Sequence, residues 1–236
     1  MPTMLPILTI LFVLGSAATT PQQRDGWHAE RHQRINDTVA SRQGAVDLVF
    51  VGDSITQGWE GAGRTIWEEA YGPRRAVNIG ISGDRTEHVL WRLDHGNLDG
   101  ITPKVAVVMI GTNNISHNAH STDEVLAGVQ AVVKRIREIS PNTRVLLLDI
   151  FPRGAHFNQD RGRITQINQA LARLHDEAGV VYLPIGHVFI EDGGTITPEI
   201  MPDSLHLSTE GYRRWRNAME PTLRSMLGED DTKETK

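Results

Sequence analysis

Apolar positions along this chain fall into two rhythms. Short runs dense in Val, Ile and Leu occupy residues 46–51 (VDLVFV), 76–79 (AVNI), 105–110 (VAVVMI), 144–150 (RVLLLDI) and Val180–Leu183 (VVYL). Several are nearly continuous, the pattern of strands covered on both faces. Between them the period lengthens to that of a helix. Val125, Val129, Val132, Val133 and Ile136 share one stripe of a helix predicted over Thr122–Ile139, with Pro141 just beyond its end. Ile164, Ile167, Ala170, Leu171 and Leu174 do the same over residues 163–178, closed by Gly179. A last helix is expected over Thr209–Leu227, with Ser208 or Thr209 as its cap. Strands alternating with helices predict one α/β domain over residues 25–227. The architecture expected is a flavodoxin-like three-layer α/β/α sandwich on a five-stranded parallel sheet. Sites in such sheets form beyond the carboxyl ends of the strands.

Composition narrows the function classes. The formal net charge is −5, and the basic residues are scattered, which disfavours nucleic acid as a partner. The chain has no cysteine, so disulfides, thiolate metal sites, cysteine nucleophiles and a lipoprotein anchor are excluded. Residues 1–14 (MPTMLPILTILFVL) carry no charged side chain and run into Gly-Ser-Ala-Ala. That pattern reads as a signal peptide over residues 1–18, cut near Ala17 or Ala18, with an uncleaved membrane anchor as the alternative. The mature protein is then expected to be secreted or periplasmic, without a transmembrane domain. The last residues, 228–236 (GEDDTKETK), are polar and read as a disordered tail.

Four polar blocks fall where the sheet would gather them. Gly52-Asp53-Ser54 follows the first strand, Gly80–Asp84 (GISGD) the second, and Gly111–Asn114 (GTNN) the third. Asp203-Ser204-Leu205-His206 stands before the last helix. A Gly-Asp pair after a strand is ordinary turn chemistry, and Asp-x-x-His often marks a helix start. The order of the blocks and their places at strand ends are what make them a site.

With these motifs the chain resembles the SGNH hydrolases, also called GDSL esterases. Within that family it is most similar to the catalytic subunits of intracellular platelet-activating-factor acetylhydrolase. The similarity is carried by residues 88–114 (HVLWRLDHGNLDGITPKVAVVMIGTNN), 151–154 (FPRG) and 203–212 (DSLHLSTEGY). Two departures are Ile55, where the GDSL name has leucine, and the secretory N-terminus. The resemblance implies Ser54 as nucleophile, His206 as general base and Asp203 as its orienting carboxylate. It implies an oxyanion hole from the Ser54 and Gly83 amides and the Asn113 side chain. Ile55 and Leu205 would flank a shallow acyl pocket suited to acetyl or other short acyl groups. No metal or other cofactor enters this chemistry, and a homodimer is the implied assembly.

The residue types are those that ester hydrolysis needs. A serine hydroxyl is a poor nucleophile until an imidazole removes its proton, and the imidazole needs a carboxylate to fix its tautomer. The tetrahedral oxyanion needs N–H donors aimed at it. The substrate expected is a small acetyl ester, of carbohydrate or similar, with a phospholipid or lysophospholipid ester as the alternative. A binding module that kept only the fold would lack one of these groups, and all are present.

Other residues read as structural. His28 and His32 lack the HExxH order of a zinc helix. Glu191-Asp192-Gly-Gly reads as a turn. Trp91 is expected in the core, with a groove-lining place open to Trp59 and Trp91 alike. Asp53 is expected to bind loop amides.

Overall fold

The structure, a computed structural model, describes residues 16–175 and 179–229. Five strands form one sheet: β1 (Leu48–Gly52), β2 (Ala76–Asn78), β3 (Val105–Met109), β4 (Arg144–Leu148) and β5 (Val180–Leu183). All neighbours are parallel and the order is β2-β1-β3-β4-β5, the doubly wound arrangement expected. Among the described residues eight α-helices accompany them: α1 (Trp27–Ser41), α2 (Ser54–Gln57), α3 (Arg64–Ala70), α4 (Thr86–Leu93), α5 (Thr112–Ile115), α6 (Thr122–Ile139), α7 (Gln159–Leu171) and α8 (Thr209–Leu227).

Alternation along the strands sorts the core into two layers. Val49, Val51, Ala106, Val108, Val145 and Leu147 face an aliphatic layer closed by α1, α4, α6 and α7. Leu48, Phe50, Val105, Val107, Leu146 and Leu148 face the other side, under α8. That second layer is aromatic: Trp59 packs at a tilt against Tyr212 at 4.5 Å and Trp215 at 5.0 Å, ring centre to ring centre. Trp59 is therefore core and lines no groove, whereas Trp91 is only half-buried, stacked on His95 at 4.0 Å. The expectation of a core place for Trp91 is corrected accordingly.

Three further boundaries differ from expectation. Helix α7 starts at Gln159 because Asn158 caps it, its side chain accepting from the Arg161 amide, and a 3-10 turn over Ala172–Leu174 follows it. The carboxyl end of the folded chain extends past Leu227. Gly228 adopts a left-handed cap, and the Glu229 carboxylate pairs with Arg74 at 2.6 Å, while residues 230–236 lie outside the described residues. At the amino end, residues 1–15 of the expected signal also lie outside them, yet Ala18 is folded in and fully buried. Residues ahead of 25 are thus part of the packed structure: the short 3-10 turn Ala17–Thr19 lies against α4 and α6.

Candidate active site

The nucleophile block is a tight exit from β1. Glycine is required at 52, since a Cβ there would stand 2.1 Å from Thr56 Oγ1 and 2.4 Å from the Met109 carbonyl. Asp53 then caps α2, its Oδ1 accepting from the Ile55 amide at 2.9 Å, which is the loop-amide role expected of it. Ser54 opens the helix, partly exposed. Tyr212 of α8 donates its hydroxyl to the Ile55 carbonyl at 2.7 Å, so the helix that follows His206 is tied to the nucleophile turn.

The Asp203–His206 turn is self-contained. Asp203 Oδ1 accepts the Leu205 and His206 amides at 3.0 and 2.7 Å, and Oδ2 lies 2.6 Å from His206 Nδ1. Ser204 takes a left-handed conformation at φ 61, and its carbonyl accepts the Gly154 amide at 2.7 Å. The carboxylate holds the proton on Nδ1, leaving Nε2 as an acceptor. Nε2 stands 2.9 Å from Ser54 Oγ, across 152 residues of sequence. Partial burial pushes the Asp203 carboxyl up, and the hydrogen bonds from the His206 ring, the two amides and the imidazole charge more than offset it. Asp203 accordingly ionises below its ordinary range and stays an anion through neutral pH.

The other expected donors meet around Asp84. Gly83 sits at φ 74, a conformation that glycine adopts without strain, directly before Asp84. Asn113, on α5, donates one Nδ2 proton to the Asp84 carbonyl at 2.9 Å, which leaves its second amide proton for a ligand. Beneath this corner Asp84 is 1% exposed and Arg92 is 3% exposed. Arg92 Nε donates to Asp84 Oδ2 at 2.7 Å, Nη1 to the Ile79 carbonyl at 2.9 Å and to Asn97 Oδ1, and Nη2 reaches the Gly52 carbonyl at 3.4 Å. One guanidinium thus ties together the ends of β1 and β2 and the Gly83 turn. Asn114 adds a second tie: its Oδ1 accepts from the Thr86 amide at 3.0 Å and its Nδ2 donates to Glu87 Oε2 at 3.0 Å.

Arg92 and Asn97 lie outside the four polar blocks, and Asn114, inside the third, carries no role in the motif reading. The signal for Arg92 was its place in α4, one turn from Val89 and beside Leu93, where the apolar stripe should continue. Of the acyl-pocket candidates, Ile55 is 1% exposed and packs in the aromatic layer, while Leu205 is partly buried against that same layer. Complete burial pushes the Asp53 carboxyl up to about 7, and its Oδ2 has no hydrogen-bond partner among the described residues. His32, set aside as a metal ligand, lies within 3.2 Å of the Asn36 and Asn97 side-chain amides. Among the described residues no three His, Asp or Glu side chains converge as a metal site would require.

The arrangement has the groups to deprotonate a serine and to bind an oxyanion. Residues 50–214 match the model of the GDSL-like Lipase/Acylhydrolase family. Platelet-activating factor acetylhydrolase IB subunit alpha1 of Rattus norvegicus is 38% identical over 210 residues, covering 88% of this chain and 87% of that protein. The alpha2 subunit of Mus musculus is 36% identical, covering 90% of each. Among solved structures, a GDSL-like lipase of Bacteroides thetaiotaomicron aligns with a TM-score of 0.68 at 18% identity, over 82% of this chain and 97% of its own. An acetylxylan esterase of Geobacillus stearothermophilus aligns at 0.60 and 20% identity, over 78% and 94%. These two likenesses are of fold. The matched span runs through all four polar blocks, and the chain belongs to the GDSL-like lipase/acylhydrolase family as a carboxylic ester hydrolase.

Proposed function

We propose that this chain hydrolyses short-chain, acetyl-type esters of carbohydrates or other small molecules through a Ser54–His206–Asp203 triad, with no metal. The observation that carries the reading is the unbroken line from Asp203 Oδ2 to His206 Nδ1 and from Nε2 to Ser54 Oγ, at 2.6 and 2.9 Å. Ser54 Oγ attacks the ester carbonyl carbon as its proton passes to Nε2. The carbonyl oxygen becomes an oxyanion facing the Ser54 and Gly83 amides and the free amide proton of Asn113. Collapse breaks the bond to the alcohol, which leaves with the proton from Nε2. Water repeats the sequence on the acyl-enzyme, giving the carboxylic acid and free Ser54.

The acetyl preference is supported by the names of the relatives, acetylhydrolases and an acetylxylan esterase, and not by Ile55, which is buried in the aromatic layer. A phospholipid or lysophospholipid ester is the second reading, favoured by the 38% identity to an acetylhydrolase of platelet-activating factor. The apolar leader at residues 1–14 supports a place outside the cytoplasm. Burial of Ala18 argues that any leader cleavage falls before Ala18, unless the leader is retained as an anchor. The reading is tested on purified protein with p-nitrophenyl acetate and octanoate, acetylated xylo-oligosaccharides and an acetylated phospholipid, with Ser54→Ala as control. Acetate and acetylated oligosaccharide should be the better substrates, with turnover abolished in Ser54→Ala. Octanoate equal to acetate would overturn the acyl preference, and turnover of the phospholipid alone would establish the second reading.

A further inference from the structure

The segment ahead of α1 crosses the oxyanion side of the site as a strap. It is seated at Ala18, whose carbonyl accepts Thr86 Oγ1 at 2.8 Å. Gly128 of α6 leaves the room: a Cβ there would stand 2.3 Å from Thr86 Oγ1 and 3.0 Å from the Ala18 carbonyl. Further along, the Gln22 amide donates to the Glu87 carbonyl at 3.0 Å. What the strap brings to the site is Arg24. Its Nη1 donates to the Ser82 carbonyl at 3.0 Å and to Asp84 Oδ1 at 3.0 Å. The guanidinium also lies 3.3 Å from the point where a Cβ on Gly83 would stand.

The Ser82 carbonyl and the Gly83 N–H are the two poles of one peptide unit. That unit is planar and trans, so holding the carbonyl on one side aims the N–H to the other. Among the described residues the Gly83 N–H donates to no partner, which leaves it free for a ligand. A cation bonded to a carbonyl oxygen also draws charge toward that oxygen and strengthens the opposite N–H as a donor. We propose that Arg24 is a positioning residue of the oxyanion hole, fixing and polarising the Ser82–Gly83 peptide. The inference rests on the esterase reading above, in which the Gly83 N–H meets the oxyanion. Asp84 does not depend on Arg24 for a counter-ion, because Arg92 holds its other oxygen at 2.7 Å. The Arg24 side chain is 25% exposed, so its replacement leaves no cavity in the core.

The test compares wild type, Arg24→Met and Arg24→Lys on p-nitrophenyl acetate. A donor that is weakened rather than removed should lower kcat about 10- to 100-fold, with KM changed less than about twofold. Guanidinium ion added to Arg24→Met should restore part of the lost rate. A trifluoromethyl ketone, whose hemiketal oxygen occupies the same hole, should lose affinity by the factor that kcat/KM loses. Arg24→Met with kcat within about twofold of wild type overturns the proposal. A fall in rate that tracks lost folded protein, with inhibitor affinity unchanged and no rescue by guanidinium, also overturns it and makes Arg24 a brace of the fold. A wild type inert toward the ester would instead sink the esterase reading, and this inference with it.

Discussion

The acid–base side and the oxyanion side of this active site are held in opposite ways. Asp203 and His206 have side chains 56% and 45% exposed, and they are joined by hydrogen bonds between residues two and three apart. The Gly83–Asn113 corner stands on buried charge gathered from Arg24 to Asn114, with Asp84 and Arg92 almost sealed from water. The difference follows from what each side does. In the proposed mechanism the imidazole passes protons to and from the leaving alcohol and water, and its exposed side chain suits that exchange. Oxyanion donors stabilise charge only if they are already aimed when it develops, and a rigid buried scaffold keeps them from relaxing.

Breaking the buried brace should have the largest effect on the fold. Arg92→Met leaves Asp84 with Arg24 as its one close guanidinium partner and removes the tie to the Ile79 and Gly52 carbonyls. Loss of one partner of a buried pair costs about 3–5 kcal/mol. Denaturant titration should register that loss, whereas a change under about 1 kcal/mol would show that the corner does not depend on the pair. A substitution on the acid–base side, Asp203→Asn, should leave stability nearly intact and fall on turnover instead.

Asn113→Ala separates alignment from folding. It removes a side-chain donor without disturbing the Asp84–Arg92 pair, so kcat should drop about 10²- to 10³-fold with KM little changed. Steady-state kinetics on p-nitrophenyl acetate measure this, and an unchanged kcat would remove Asn113 from the oxyanion hole.

Asp53 lies at the joint between the two sides, and its titration sharpens the contrast. Burial raises its folded pKa to about 7 from the ordinary 3.8 of an aspartate, so over that range the folded state binds more protons than the unfolded state. Stability contributed by the neutral acid is therefore complete at low pH and declines as pH rises toward about 7. Wild type should lose stability relative to Asp53→Asn across that interval, on the order of 4 kcal/mol. Urea denaturation of both proteins at several pH values checks the sign, and a pH-independent difference would contradict it.

These regions also differ in how far the sequence disclosed them. The five strands are continuous apolar runs, and the triad turn is a three-residue spacing before a capped helix, so both are local patterns. The oxyanion brace joins Arg24, Arg92, Asn97 and Asn114 over long separations, and no local period records such a meeting. Helix α1 hid for a related reason: its buried residues are Arg31, His32, Ile35 and Val39, so half of its inner face is polar. Arg31 is there to serve the site's rim, its Nε donating to the Gly80 carbonyl at 2.8 Å and its Nη groups to Glu60.

The claim on which the rest depends is that Ser54 is the nucleophile. Treatment with diisopropyl fluorophosphate, followed by peptide mass spectrometry alongside residual esterase activity, tests it directly. One phosphoryl adduct on Ser54, rising in step with lost activity and absent from Ser54→Ala, is the result expected. Inactivation with the label on another residue, or full activity in a protein whose Ser54 is completely modified, would contradict the account.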